Sequence, residues 1–291
     1  MGDITVPVLL AVLLGALLHA GWNALIKSTP DKALNTALIH GMGTLLAVPL
    51  LLLVGLPNPS AWPYVIASTL IHIGYYTALA GAYKHGDLGL TYPLMRGSAP
   101  LLVALVSGAL LGERLSPLAW AGVVTICAGV LALGFSNAGD GAAGDEQRRR
   151  KAIRYALFNA VCIAAYTVVD GLGVRANGAA PSYVAALFLL DGLPYLSIVL
   201  WQRRQRLAEV RAYVGERWRV AAGGTAASLG SYGIALWAMM HAPVAMVAAL
   251  RETSVLFAAL IGTLLLRERF GWQRAAGTLV ILAGIMALRA G

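Results

Sequence analysis

The sequence predicts an all-α integral membrane protein of ten transmembrane helices, arranged as two five-helix inverted repeats. Three observations predict it. Of 291 residues, 59% are hydrophobic and only 12% charged, with a mean hydropathy of +0.73, values that a soluble domain could not carry without aggregating. The apolar residues fall into ten runs, each close to the ~20 residues that a bilayer's hydrocarbon core requires. A pattern also recurs: Arg96, Glu113-Arg114, Gly122 and Gly129 return as Arg251, Glu268-Arg269, Gly277 and Gly284. Without gaps, 15 of the 38 positions in 96–133 are identical to their partners in 251–288. The two copies lie five spans apart, an odd number, so the second must lie upside down relative to the first.

The ten runs lie near 6–26, 35–55, 62–83, 89–111, 117–135, 153–174, 182–201, 220–240, 244–266 and 271–289. Proline and glycine mark most of their limits: Pro30, Pro57, Pro59, Gly86, Pro117, Pro181 and Pro243 stand at or beside span ends, where a helix starts or stops at little cost. Pro49, Pro93, Pro100 and Pro194 lie inside runs and are expected to kink them. The opening MGDIT carries an acid and no base, unlike the basic n-region of a cleaved signal peptide, so the first helix is expected to stay. The first repeat occupies 1–135 and the second 151–291. Between them, 136–150 is rich in Gly, Ala and charge and reads as a flexible linker. The other long polar stretch, 202–219, contains AEVRAYVGERW and reads as a short amphipathic helix on the membrane surface.

A net charge of +9 could point to nucleic acid, but the basic residues keep to alternate loops. Lys27, Lys32, Lys84, Arg148 to Lys151, Arg154, Arg203 to Arg219, Arg267, Arg269 and Arg274 fall on one side of the membrane; the other holds only Arg114, Arg175 and Arg289. The positive-inside rule makes the first side cytoplasmic and puts both termini outside. The charge is therefore a topology signal, and no nucleic-acid partner is expected. Cys127 and Cys162 lie inside apolar spans and read as packing residues, with no disulfide framework and no metal site.

Charges within spans cost about 2.5–3.5 kcal/mol each on insertion scales and so face a cavity or a partner. Here they are Arg96, Asp170, Asp191, Arg251 and Glu252. Arg96 and Arg251 are equivalent in the repeat, and two arginines beside a cavity would suit a carboxylate; the competing reading pairs each with an acidic residue that locks helices together. Polar stripes accompany them. Helix 1 places His19, Trp22 and Asn23 on one face, helix 3 Thr69, His72 and Tyr76, and helix 6 Asn159, Cys162, Tyr166 and Asp170, while helix 4 offers Tyr92 and Arg96 and helix 8 Ser228, Tyr232 and Trp237. The substrate-binding set read from this pattern is Trp22, Asn23, His72, Tyr76, Arg96, Tyr166, Asp170, Trp237 and Arg251, with no catalytic residue and no metal ligand.

Other features read as structural. Trp62, Tyr64, Trp120, Trp201, Trp218 and Trp272 sit near span ends as interfacial anchors. His19 and His72 are expected to bond backbone carbonyls rather than relay protons. Glu113-Arg114 and Glu268-Arg269 are expected to staple the connection to the following helix. Gly122, Gly129, Gly277 and Gly284 are spaced for close helix contact, between the halves or between two chains.

Two segments, LLGERLSPLAWAGVVTICAGVLAL and LLRERFGWQRAAGTLVILAGIMAL, close the halves, and LLHAGWNALIK lies in the first helix. In these the chain resembles the drug/metabolite transporter superfamily, and within it the EamA-type exporters, with the YddG-like amino acid exporters as the nearest functional relatives. The resemblance spans essentially the whole chain. It implies two interleaved five-helix halves and export of small metabolites, with neutral and aromatic amino acids typical of the YddG-like members. With the alternating access that an inverted repeat provides, the expected protein is an exporter or facilitator of such amino acids in a bacterial cytoplasmic membrane, with no cofactor and a single chain as the expected unit. Family members are often drawn with cytoplasmic termini, whereas this charge pattern predicts the reverse, so the direction of transport does not carry over. Small multidrug members rely on an acid within helix 1, and here Asp3 and Asp31 lie outside it. A proton-coupled exporter of other metabolites or drugs is the alternative. An intramembrane aspartyl protease is disfavoured because Val169 precedes Asp170 and Leu190 precedes Asp191, where the resembling motifs need tyrosine or glycine.

Overall fold

Residues 4–27, 29–86, 88–135, 146–265 and 272–291 are described by the structure, a computed structural model. Among them the secondary structure is helical throughout: α1 (Val6–Lys27), α2 (Lys32–Val54), a 3-10 turn (Pro59–Ala61), α3 (Trp62–His85), α4 (Leu88–Leu110), α5 (Pro117–Phe135), α6 (Glu146–Asn177), α7 (Ala180–Gln202), α8 (Leu207–Met239), α9 (Val244–Arg251), α10 (Ser254–Leu265) and α11 (Trp272–Ala290). Among the described residues seven runs are long and apolar enough to cross a membrane, and the helical stretches Pro117–Leu133 and Ala275–Ala290 are shorter apolar ones. α8 falls short for a physical reason. Its membrane part is diluted by Gly223, Gly224, Thr225, Ser228, Gly230, Ser231, Tyr232 and Gly233, residues suited to close packing and to a polar interior rather than to lipid.

Two departures from expectation concern helix limits. The ninth run is broken. α9 stops at Arg251 and α10 begins at Ser254, with Glu252 N–H bonded to Ala249 O and Thr253 N–H to Leu250 O, so the chain tightens to i→i−3 bonds for one turn, and the Thr253 hydroxyl donates to Leu250 O at 2.7 Å. No Pro or Gly marks the place. The stretch after Gln202 is not a separate surface helix, because α8 starts at Leu207 and runs unbroken to Met239. Its first turns are instead tied down beside α2: Val210 packs with Leu34, Ala37 and Val199, the Tyr213 hydroxyl donates to Asp31 O at 3.3 Å, and Arg203 Nη1 pairs with Asp31 at 2.7 Å. Pro49, Pro93, Pro100 and Pro194 are all accommodated within continuous helices.

The helices pack chiefly as α1 with α8, α2 with α7, α3 with α6, α4 with α6 and α5, and α5 with α11, while α9 lies against α1 and α4 and α10 against α1. The α5–α11 contact is a close one, and glycine makes it so. A Cβ on Gly122 would lie 2.6 Å from the Leu288 nitrogen, and one on Gly284 would lie 2.8 Å from the Ile126 nitrogen, so the backbones touch where side chains would hold them apart. The four glycines thus join two helices of one chain.

One face of the bundle is sealed. It carries the connections at 55–58, 111–116, 178–179 and 240–243, beneath which Val12, Val65, Val123, Tyr183, Leu236, Met239, Val244 and Leu250 form the main core. Asn58 N–H donates to Asn177 Oδ1 at 2.7 Å while Asn58 Nδ2 donates to Asn177 O at 2.6 Å, clasping the turn before α3 to the end of α6. Glu113 does not staple its own loop to α5. Its carboxylate accepts the Val244 N–H at 2.9 Å, capping α9 from a distance where the helix dipole favours an anion, and pairs with Arg175 of α6 at 2.6 Å. Arg175 Nε donates in turn to Met239 O at 2.8 Å, so the α4–α5 connection, α6, α8 and α9 meet at one ion pair. The matching pair Glu268-Arg269 lies outside the described residues.

Candidate substrate cavity

Beneath the sealed face the bundle encloses a cavity of about 820 Å³. Its lining runs from Arg96, Tyr166, Tyr232 and Arg251 at the level of the helix break to Ile26, Ala33, Tyr83 and Gly86 at the ends of α1, α2 and α3. It therefore reaches the face opposite the sealed one, where the connections at 29–31 and 203–206 lie. Seven helices and the end of α9 contribute, mixing polar residues that are costly to expose to lipid with apolar ones such as Ile26, Leu79, Met95 and Leu187.

The floor holds three charges. Arg96 Nε donates to Glu252 Oε2 at 3.0 Å, an ion pair with both side chains nearly buried. Arg251 is different. Its guanidinium lies over the Tyr232 ring, 5.2 Å from the centroid, and among the described residues no carboxylate pairs with it. The sequence register accounts for this: the residue 155 positions before Glu252 is Gly97, so the acid that would serve Arg251 as Glu252 serves Arg96 does not exist. Nor could one be added freely, since a Cβ on Gly97 would lie 2.7 Å from Leu131 Cγ. The result is one neutralised arginine and one exposed to the cavity.

Tyr232 is fixed from below by Asp170. This carboxylate is fully buried and accepts from the Tyr183 hydroxyl at 3.0 Å and from the Tyr232 hydroxyl. Asp170 thus ties α6 to α7 and α8 and does not line the cavity, contrary to the sequence expectation. It continues the Tyr166 stripe one turn nearer the sealed face, where Tyr183 and Tyr232 cover it.

The wall is aromatic. His72 stacks on Tyr166 with ring centroids 4.3 Å apart, and Tyr75, Tyr76, Tyr195 and His40 follow at centroid spacings of 5.3 to 5.9 Å. His72 Nδ1 meets Ser68 O at 2.8 Å, a carbonyl of its own helix. Asn23 Nδ2 likewise donates to His19 O at 2.7 Å. The Tyr76 hydroxyl donates to Asp191 Oδ2 at 3.0 Å.

Of the residues chosen from sequence, Trp22, Asn23, His72, Tyr76, Arg96, Tyr166 and Arg251 come together around the cavity. Trp237 does not. It lies five residues beyond Tyr232, about 140° further round α8 at 3.6 residues per turn, is 37% exposed, and packs on His241 at 4.7 Å. His40 and Tyr195 also line the cavity; the signal that could have found them is their i,i+4 spacing from Thr36 and Asp191, which line it too. Asp191 and Tyr232 stood among the polar candidates without being chosen. Among the described residues no group of three or more His, Cys, Asp or Glu is placed to hold a metal ion.

A bundle of apolar helices around a polar, charged cavity that reaches one face and is sealed at the other defines the class of multi-pass membrane transporters for small molecules. The chain belongs to the EamA-like transporter family, which matches residues 6–135 and 150–290. It is similar in fold to a solved structure titled "Crystal structure of protein", with a TM-score of 0.69 and 19% identity over 96% of this chain and 94% of the other. No curated protein matches it.

Proposed function

We propose that the protein exports or facilitates the movement of neutral and aromatic amino acids across a bacterial cytoplasmic membrane by alternating access. The observation that carries this reading is the unpaired guanidinium of Arg251 at the floor of an aromatic-walled cavity. A carboxylate is the group such a fork binds best, and apolar rings beside it accept a neutral or aromatic side chain. Trp22, Asn23, His72, Tyr76 and Tyr166 form the walls, Arg251 is the anchor, and Arg96 supports the floor through Glu252.

The mechanism proposed rests on two halves, 1–135 and 151–291, joined by 136–150 and related by a two-fold axis in the membrane plane. Helix pairing supports it: an exchange of halves maps α1–α8 onto α6–α3 and leaves α2–α7 and α5–α11 in place. The sealed face corresponds to the outside if the basic loops are cytoplasmic, which makes this an inward-facing state with both termini outside. Uptake of labelled amino acids into proteoliposomes tests the assignment. Phenylalanine, tryptophan, methionine or threonine should move down a gradient; transport confined to sugars or nucleotides would end the amino acid reading.

A further inference from the structure

The cavity contains a second unpaired charge, opposite in sign to Arg251. Asp191, on α7 at membrane depth, lines the cavity, and among the described residues no cation forms an ion pair with it. Its one hydrogen bond comes from the Tyr76 hydroxyl. A carboxylate left without a cation inside a membrane is costly, and retained ones face a ligand or an ion path. Around it stand the rings of Tyr76, Tyr195 and His40, with centroids 5.4 to 5.9 Å apart. A carboxylate beside π-faces is the arrangement that binds an organic ammonium, through a charge-assisted hydrogen bond and cation–π attraction. Asp191 and Arg251 line the same cavity, with Phe188, one turn before Asp191 on α7, placed 6.3 Å between ring centroids from the Tyr232 ring over which Arg251 lies.

We infer that Asp191, with Tyr76 orienting it, is the subsite for the substrate's ammonium group and selects amine-bearing carboxylates over plain carboxylates. This rests on the carboxylate reading of Arg251 and adds the ammonium that shares the substrate's α-carbon with that carboxylate. Glu252 cannot take this role because Arg96 already neutralises it.

The test uses the full chain in proteoliposomes with three probes of one shape: phenylalanine, 3-phenylpropionate, which lacks the amine, and phenethylamine, which lacks the carboxylate. Wild-type protein should prefer phenylalanine to 3-phenylpropionate by roughly tenfold or more, the range for a charge-assisted bond in a desolvated site. Asp191→Asn should cut uptake of phenylalanine and phenethylamine by a similar factor and leave 3-phenylpropionate within about twofold. Asp191→Glu, which keeps the charge, should restore the preference, and Tyr76→Phe, which keeps the ring, should weaken it in the same direction. Equal loss of all three probes in Asp191→Asn with no rescue by Asp191→Glu, or no loss at all, overturns the ammonium subsite while leaving amino acid transport standing. A wild type that moves none of the three defeats the amino acid reading itself, which uptake of an unrelated solute by the same vesicles would reveal.

Discussion

Arg96 Nε donates to Glu252 Oε2 at 3.0 Å, so the only acid adjoining Arg251 in the chain neutralises the other arginine of the repeat. Two residues equivalent by sequence register therefore have different physical roles. Replacing Arg251 by Lys keeps the charge but loses the planar fork, and should raise the apparent KM for amino acids by about tenfold with normal insertion. Arg96→Ala should act on stability, because it leaves Glu252 buried and unpaired at a cost of about 3–5 kcal/mol. The double change Arg96→Met with Glu252→Met should recover most of that loss. Thermal denaturation in detergent, followed by size-exclusion, separates the two effects. An unchanged KM in Arg251→Lys would return Arg251 to a structural role.

Much of the fold was legible because helix length and apolarity are set by the bilayer, and seven of the candidate sites could be found because charge and polarity are rare at that depth. What could not be read depends on contacts between helices. The break at Glu252 has no Pro or Gly to announce it; it forms at the turn whose glutamate Arg96 of α4 holds. Trp237 and Asp170 were chosen as polar or aromatic residues within a span, but the rotation of α8 turns the first outward and Tyr183 covers the second. Glu113 sits at a span end, where sequence gives no means of telling a bond within the loop from a cap on α9, 131 positions away.

Orientation can be decided by labelling. In a background where the buried Cys127 and Cys162 are replaced, single cysteines are introduced at Ser60 and Ala142. An impermeant thiol reagent added to intact cells should modify Ser60→Cys and spare Ala142→Cys, because the positive-inside rule puts the basic loops in the cytoplasm. The reverse pattern would invert the topology and make the cavity outward-facing.

The Glu113–Arg175 pair should hold the sealed face closed. Glu113→Ala removes the cap on the Val244 N–H and leaves Arg175 with only the carbonyls of Met239 and Ala242, a loss of about 1–3 kcal/mol if the face stayed shut. The protein can avoid that cost by opening. A cysteine at Ala242, buried in this state, should therefore react faster from the sealed side in the Glu113→Ala background, and unchanged reactivity would assign the pair to folding alone.

Trp22 tests the apolar half of substrate recognition without touching either charge. It lines the cavity on α1 with its ring edge-on to His19 at 5.3 Å and makes no hydrogen bond to Arg251 or Asp191. An aromatic pair contributes about 0.5–1.5 kcal/mol beyond the area it buries, which is roughly two- to twelvefold in affinity. Trp22→Ala should therefore weaken competition by phenylalanine and tryptophan within that range, while alanine, which offers no ring, competes as it does against the wild type. A uniform loss across all three amino acids would mean that Trp22 supports the helix packing rather than the substrate, and would move the aromatic selectivity to Tyr166 and Tyr76 on the opposite wall.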